Sequence, residues 1–237
     1  MEDKNYKIEK FSLVVLYSSD RKPQFLKSMR LFEENIGFAS CQKILCVDGK
    51  TNVLPNGWFV REVHRKKQNF CWADSLNDGV ACAENEFVFY FDCDRVVPKN
   101  FFEAAIKFLR NEECFVYAKR LYSLASDFDA NQLRKIRDNP SEYMKQLRPD
   151  HRIENPHVLW RKNPFSGGVG FRKSTFVNHG GFDIRFVGWG FPDYDFFMKT
   201  HKSGAKFVGL DMDELHQKHD YTVATREFRL HHLWNLK

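Results

Sequence analysis

The stretch FVFYFDCDRVVP, from Phe87 to Pro98, sets the narrowest limits on what this chain can fold into. Phe87 to Phe91 are consecutive apolar residues, too few for a helix and too uniformly apolar for a strand with one wet face. Such a run suits the interior strand of a sheet covered on both sides. It stops at two acids one residue apart, Asp92 and Asp94. Carboxylates where a buried strand opens out lie at the carboxyl end of the sheet, where open α/β sheets bind ligands. Two hard oxygen donors there can hold Mg2+ or Mn2+, which in turn can hold a ligand's phosphates. The same tripeptide also reads as an ordinary polar strand end with its acids in water.

The flanking sequence repeats the theme of strand and helix in alternation. FSLVVLYSS (Phe11 to Ser19) predicts a first strand. Pro23 then opens a helix with Phe25, Met29 and Phe32 at i, i+4 and i+7, and Gly37 lies beyond its end. KILCVDG, ending at Asp48 and Gly49, predicts a second strand, and WFVREV a third. Between Phe70 and Ala83 the spacing of Ala73, Leu76, Asn77, Val80 and Ala81 favours a helix. NFFEAAIKFLR follows the acids as a further helix, with Asn100 as cap and Glu103 completing a capping box. Strands and helices in this order imply an α/β fold, a parallel sheet with helices on both faces. From 121 to 160 the apolar periodicity weakens and Pro140, Pro149 and Pro156 break the run. One or two short helices fit there and no buried strand is specified, so the segment reads as an inserted lid or a surface loop.

Composition narrows the function classes. No apolar run approaches the ~20 residues of a membrane span, and FSLVVLY is shorter than a signal-peptide core with its cleavage site. The expectation is a soluble, uncleaved chain. Cys41, Cys46, Cys71, Cys82, Cys93 and Cys114 form no CxxC pair, which suits a reducing compartment. Of the net charge of +6, +4 falls between Lys119 and Lys162, ten Lys/Arg against six Asp/Glu. That excess favours an anionic ligand without demanding nucleic acid.

Three later stretches carry further chemistry. In NPFSGGVGFRKSTFVNHGGFD, Gly167 and Gly168 permit close backbone approach to a ligand, or simply a tight turn. In VGWGFPDYDFF, Trp189 lies between Gly188 and Gly190, with Asp193 and Asp195 directly after. A flat indole beside carboxylates suits a sugar, whose C–H faces stack while its hydroxyls bond the acids. The alternative is a Trp packed under a turn, with acids favoured by the dipole of a helix start. In DELHQKHD, His216 and His219 are three residues apart and can face one metal, or sit on the surface.

Taken together, these motifs resemble those of the GT-A glycosyltransferases. The closest likeness is to the β-1,4-galactosyltransferases and to bacterial family 2 enzymes with a galactosyltransferase-type C-terminal half. It covers roughly residues 11 to 220, leaving out the insertion. FCWADSLNDGVACA resembles the family's FNRAKLLNVG helix, keeping Phe70, Ala73, Leu76, Asn77 and Gly79. FDCD resembles its metal-binding DxD, FSGGVGFRKSTFVNHGGFD its FGGVSGL…INGF stretch, and GWGFPDYD its GWGGEDDD.

The resemblance implies a GT-A fold, a Rossmann-like and mostly parallel nucleotide-binding sheet with helices on both faces. It implies one domain over 1–237, with a nucleotide-sugar-binding half at 11–120, an acceptor-side insertion at 121–160, and an acceptor and catalytic half at 161–237. The donor is then a UDP-sugar whose diphosphate is bridged by Mn2+ or Mg2+ to Asp94. By position Asp92 assists through ribose or water, Asp48 meets the uracil, and Phe70, Asn77, Gly167 and Gly168 fall on the donor side. Asp193 matches the general base, Trp189 the acceptor-stacking residue, and Gly190 adjoins it. The galactosyltransferases complete the metal site with a Met and a His three residues apart, so His219 matches the His and His216 replaces the Met. Departures are Pro192 for the acid before the base, Phe191 for a glycine, and Trp72 for an Arg near the donor.

The expected activity is inverting transfer of galactose or an N-acetylhexosamine to the hydroxyl of a glycan or lipid-linked saccharide. The expected setting is bacterial surface polysaccharide synthesis in the cytoplasm, with a lipid-linked acceptor drawing the enzyme to a membrane surface. Two other classes fit parts of the chain. A nucleotidyltransferase would use the sheet and acids but has no need of GWG…D. A sugar- or nucleotide-binding module would explain the aromatics but not Asp94 together with Asp193.

Overall fold

The first strand, β1 (Phe11–Tyr17), is buried along its whole length, and its side chains alternate between two separate cores. This computed structural model describes residues 9–48, 55–63, 72–149, 168–186 and 192–218. After β1 come α1 (Lys22–Phe32), β2 (Gln42–Asp48), β3 (Phe59–Val63), α2 (Trp72–Ala81) and β4 (Phe87–Asp92). Then follow β5 (Arg95–Val96), α3 (Phe101–Leu109), β6 (Cys114–Leu124), α4 (Ala130–Asp138) and β7 (Leu147–Pro149). The chain continues with β8 (Val169–Arg172), α5 (Lys173–Asn178), α6 (Pro192–Lys202) and β9 (Lys206–His216).

These strands form one sheet in the order β3-β2-β1-β4-β8-β6-β9-β5, with β7 added to β6. β3, β2, β1 and β4 run parallel, and β6 and β9 run parallel to each other. β8 lies antiparallel between β4 and β6. On one face Phe11, Leu13, Val15 and Tyr17 pack with Phe25, Met29 and Phe32 of α1 and Phe101 and Phe102 of α3. On the other, Val14 and Leu16 pack with Trp72, Leu76 and Val80 of α2, Phe176 of α5, and Phe196 and Phe197 of α6. Much of the chain's phenylalanine stands in the first core, where edge-to-face pairs such as Phe89–Phe102 (4.9 Å) and Phe11–Phe89 (5.2 Å) interlock.

The strand order reverses between β1 and β4. The chain moves outward from β1 to β2 and β3, then returns through α2 to the other side of β1 as β4. Adjacent carboxyl ends at such a switch point leave a crevice for ligands. Leu16 lies opposite Asp92, and Cys93 N–H donates to the Leu16 carbonyl at 3.1 Å, so the acids open directly beyond the end of β1.

Two local expectations are revised. Asn100 takes the N-cap position of α3 without a side-chain cap bond, and Glu103 pairs instead with Lys107 at 2.9 Å. The capping box is found at α4, where Asp129 Oδ1 accepts from the Asn131 and Gln132 amides at 2.8 Å. The segment from 121 onward also contains strand structure that its sequence did not specify. β6 runs on to Leu124, and β7 pairs with it antiparallel. Leu124, Leu133, Ile136 and Leu147 close a third, smaller core with Leu31, Val96 and Leu215. A strand of three residues leaves no periodicity to read, and its partner alone defines it. Buried Arg137 secures α4 to α1 through Glu34 (2.6 Å) and the Leu31 carbonyl (3.3 Å). Cys41, Cys46, Cys82, Cys93 and Cys114 are unbridged, and among the described residues no helix is long and apolar enough to cross a membrane.

Candidate active site

β4 carries the two acids out of the core into different surroundings. Asp92 keeps some contact with solvent; its Oδ1 accepts from the Tyr90 phenol at 2.7 Å, and its Oδ2 lies 3.4 Å from Arg95 Nη2. Asp94 is wholly buried. Its Oδ2 accepts from Arg21 Nη1 at 2.8 Å and stands 3.4 Å from His216 Nε2, while its Oδ1 is 3.6 Å from Arg95 Nε. Arg21 comes from the loop that leaves β1, Arg95 from β5, and His216 from the end of β9 opposite Arg95. Three separate parts of the chain therefore converge on one carboxylate.

Charge stabilises this convergence. Burial by itself would push the Asp94 carboxyl up, but His216, Arg21 and Arg95 outweigh it and hold Asp94 well below the usual carboxylate range. Burial, then the neighbouring Asp92, pushes the Tyr90 phenol well up, so Tyr90 stays a hydrogen-bond donor. Glu214, on β9, is the remaining buried acid. Burial raises its carboxyl against the pull of Arg95, whose Nη1 is 3.7 Å away. It accepts from the Gly168 amide with both oxygens, at 2.9 and 3.0 Å.

Several expected residues fall at this site. Asp92, Asp94 and His216 come together, and Asp48 ends β2 at the same carboxyl edge of the sheet. Asp193 and Asp195 both lie in the first turn of α6 but answer to different neighbours. Burial and Asp92 dominate the upward push on the Tyr90 phenol, and the charge of Asp193 adds the smallest part. Asp195 is raised by burial and by Asp183, and lowered by Lys199 and Arg185. Phe70, Gly167, Trp189, Gly190 and His219 lie outside the described residues.

Two residues expected on the donor side also have structural work. Asn77 gives its amide to the backbone of Phe182, donating to the carbonyl at 2.7 Å and accepting from the N–H at 3.0 Å. Gly168 is required by close approach to protein: a Cβ there would stand 1.7 Å from the Phe91 ring. Gly170 has the same relation to Phe89, at 2.4 Å, so Gly168 and Gly170 each set bare backbone against a ring of β4. Trp72 packs on Tyr90 and Phe182 as a core residue. Sequence reasoning missed Arg21, Tyr90, Arg95 and Glu214. Arg95 carried a signal, a cation directly followed by two valines; Arg21, in a polar SSDRK loop, carried none.

The mixed, mostly parallel sheet with helices on both faces is the GT-A fold, and Asp92 and Asp94 stand at its switch point. The chain belongs to the glycosyltransferase like family 2, which it matches over residues 56–229, and it is a glycosyltransferase. No curated protein sequence matches it. Solved structures share its fold. S. aureus TarS in complex with UDP-GlcNAc superposes with a TM-score of 0.63 at 12% identity, over 92% of this chain and 61% of that one. GalNAc-T7 with UDP, GalNAc and Mn2+ gives 0.62 at 11% identity, over 95% and 48%. The mannosyltransferase PcManGT from Pyrobaculum calidifontis with GDP-Man and Mn2+ gives 0.56 at 13%, over 95% and 61%. The chain thus spans 48–61% of the length of these proteins, and at such identities the likeness is one of fold.

Proposed function

We propose that the chain transfers a hexose, galactose or an N-acetylhexosamine favoured, from a UDP-sugar to a glycan hydroxyl with inversion at the anomeric carbon. The observation that carries this reading is Asp94 Oδ2 and His216 Nε2 at 3.4 Å, above the switch point. Octahedral ligands about 2.1 Å from a divalent cation stand about 3.0 Å from their neighbours, so a carboxylate oxygen and an imidazole at this spacing fit one Mn2+ or Mg2+. Among the described residues no third His, Cys, Asp or Glu joins them in a metal-binding group. His219, matched by the resemblance, is the candidate for that place, with Asp92 joined to Asp94 through Arg95. The UDP reading is supported by the TarS and GalNAc-T7 complexes, while the PcManGT complex with GDP-Man keeps guanine nucleotides in the panel to be tested.

In the mechanism, Asp193 takes the proton of the acceptor hydroxyl as that oxygen attacks the anomeric carbon. The bond from that carbon to the diphosphate oxygen breaks on the opposite side, and UDP departs. When bound, the cation would offset charge building on the leaving diphosphate. A positioned base contributes about 10²–10⁴ in rate. Trp189 would stack on the acceptor, Asp48 would meet the uracil, and the 121–160 segment would form an acceptor wall within a single domain. The acceptor is a glycan or lipid-linked saccharide of a bacterial surface polysaccharide, met at the cytoplasmic side of a membrane.

Product analysis with a panel of UDP-sugars and GDP-mannose, with and without Mn2+, tests this. Release of nucleoside diphosphate that depends on Mn2+ supports transfer. Pyrophosphate release would mean attack at phosphorus, and no release with intact binding would mean a recognition module.

A further inference from the structure

The guanidinium of Arg21 sits on the oxygen that a metal would use. We propose that Arg21 holds, in the metal-free chain, the place on Asp94 that a divalent cation needs, so that guanidinium and cation exclude each other. The inference rests on the metal reading above and concerns what that metal must displace.

A buried carboxylate needs a partner of opposite charge, because burial without one is costly. Arg21 supplies it at 2.8 Å from Asp94 Oδ2, the same oxygen that lies 3.4 Å from His216 Nε2. A cation bonded to that oxygen would meet the guanidinium at roughly 4 Å, where like charges in a buried site repel strongly. The two therefore compete for that oxygen.

The site contains a second arginine, and the two differ in their freedom to move. Arg95 is a strand residue, 1% exposed, and lies between Asp92 (3.4 Å), Asp94 Oδ1 (3.6 Å) and Glu214 (3.7 Å). Its removal would leave three acids short of a counter-charge. Arg21 lies in the short 3-10 turn Ser19–Arg21 ahead of α1, at 8% exposure. Its guanidinium reaches Asp94 from a turn outside the sheet, so its displacement would break no hydrogen bond of the strand ladder. Arg21 is therefore the exchangeable cation and Arg95 the fixed one. Cation affinity is set partly by the strength of the pair that must break.

The test is Mn2+ titration of the full chain, wild type against Arg21→Gln and Arg21→Lys, read by calorimetry and by the paramagnetic resonance signal of free Mn2+. Arg21→Gln should bind Mn2+ at least about tenfold tighter, the low end of coupling between close charge pairs. Arg21→Lys, a point charge without the guanidinium fork, should fall between the two. Without metal, Arg21→Gln should melt below wild type, and Mn2+ should raise its melting temperature by more than it raises that of wild type. If wild type binds Mn2+ and Arg21→Gln binds it equally or more weakly, Arg21 is no competitor and the inference is overturned. If no form binds Mn2+, the metal reading falls and this inference with it. Should Arg21→Gln fail to fold, Arg21→Lys decides: tighter binding than wild type supports exchange, and equal or weaker binding overturns it.

Discussion

Asn77 grips Phe182 by both of its backbone polar groups, donating to the carbonyl at 2.7 Å and accepting from the N–H at 3.0 Å. The clamp ties α2 to the stretch that leads toward Asp193, and beneath it Phe182 packs on Trp72, Phe176 and Phe196. Asn77→Ala should therefore cost stability, about 1–3 kcal/mol for part-buried backbone groups left unpaired, and leave UDP affinity near wild type. Chemical denaturation and calorimetry measure the two separately. A stable variant with lost UDP affinity would return Asn77 to the donor site.

Asp94→Ala should abolish the strengthening of UDP binding by Mn2+. The carboxylate provides the hard oxygen of the Asp94–His216 pair, and Ala leaves a lone imidazole. Calorimetry of UDP in Mn2+ and in EDTA reads the difference directly. Equal wild-type affinity in the two buffers would remove the metal bridge.

Asp193→Asn should separate chemistry from binding. The amide keeps the size and one acceptor of the carboxylate but takes up no proton, so the rate should fall by about 10² or more with acceptor KM nearly unchanged. Asp195 is the control, since its neighbours are Asp183, Lys199 and Arg185. Asp195→Asn should leave most of the rate in place. The reverse pattern, with Asp195→Asn inactive and Asp193→Asn active, would mean that the other carboxylate is the base.

Metal-free stability should depend on pH through Asp94. Its folded carboxyl is held below the ordinary range, so it stabilises the fold fully above the unfolded value of about 4 and loses that contribution as pH falls toward the folded value. The stability difference between wild type and Asp94→Asn should therefore shrink below about pH 4, by up to about 1.4 kcal/mol per pH unit. Denaturant titrations from pH 7 to pH 3 follow it. A difference that stays constant would show that Asp94 ionisation does not contribute.

Gly168→Ala should be destabilising out of proportion to one methyl group. Its Cβ would fall 1.7 Å from the Phe91 ring, inside a core packed on all sides. Overpacking costs about 1–3 kcal/mol and sometimes more. A variant as stable as wild type would mean that β8 can lift off β4 freely.

Local pattern alone determined the elements and the acids. Short, continuous apolar runs bounded by polar residues suit interior strands, so β1, β2 and β4 were legible, as was the face of α1 that carries Phe25, Met29 and Phe32. The acids at the end of β4 were legible for the same reason, because polarity changes abruptly where a buried strand reaches the surface. What only the tertiary structure decided is which charges meet. Arg21, Arg95 and the strand that carries Glu214 and His216 stand far apart in sequence, and nothing local distinguishes the arginine of an exposed loop from one that neutralises a buried acid. The structural contacts of Asn77, Gly168 and Trp72 were hidden on the same ground. A side chain's type limits what it can bond, but its partner is chosen by the register of strands and the helices that cover them.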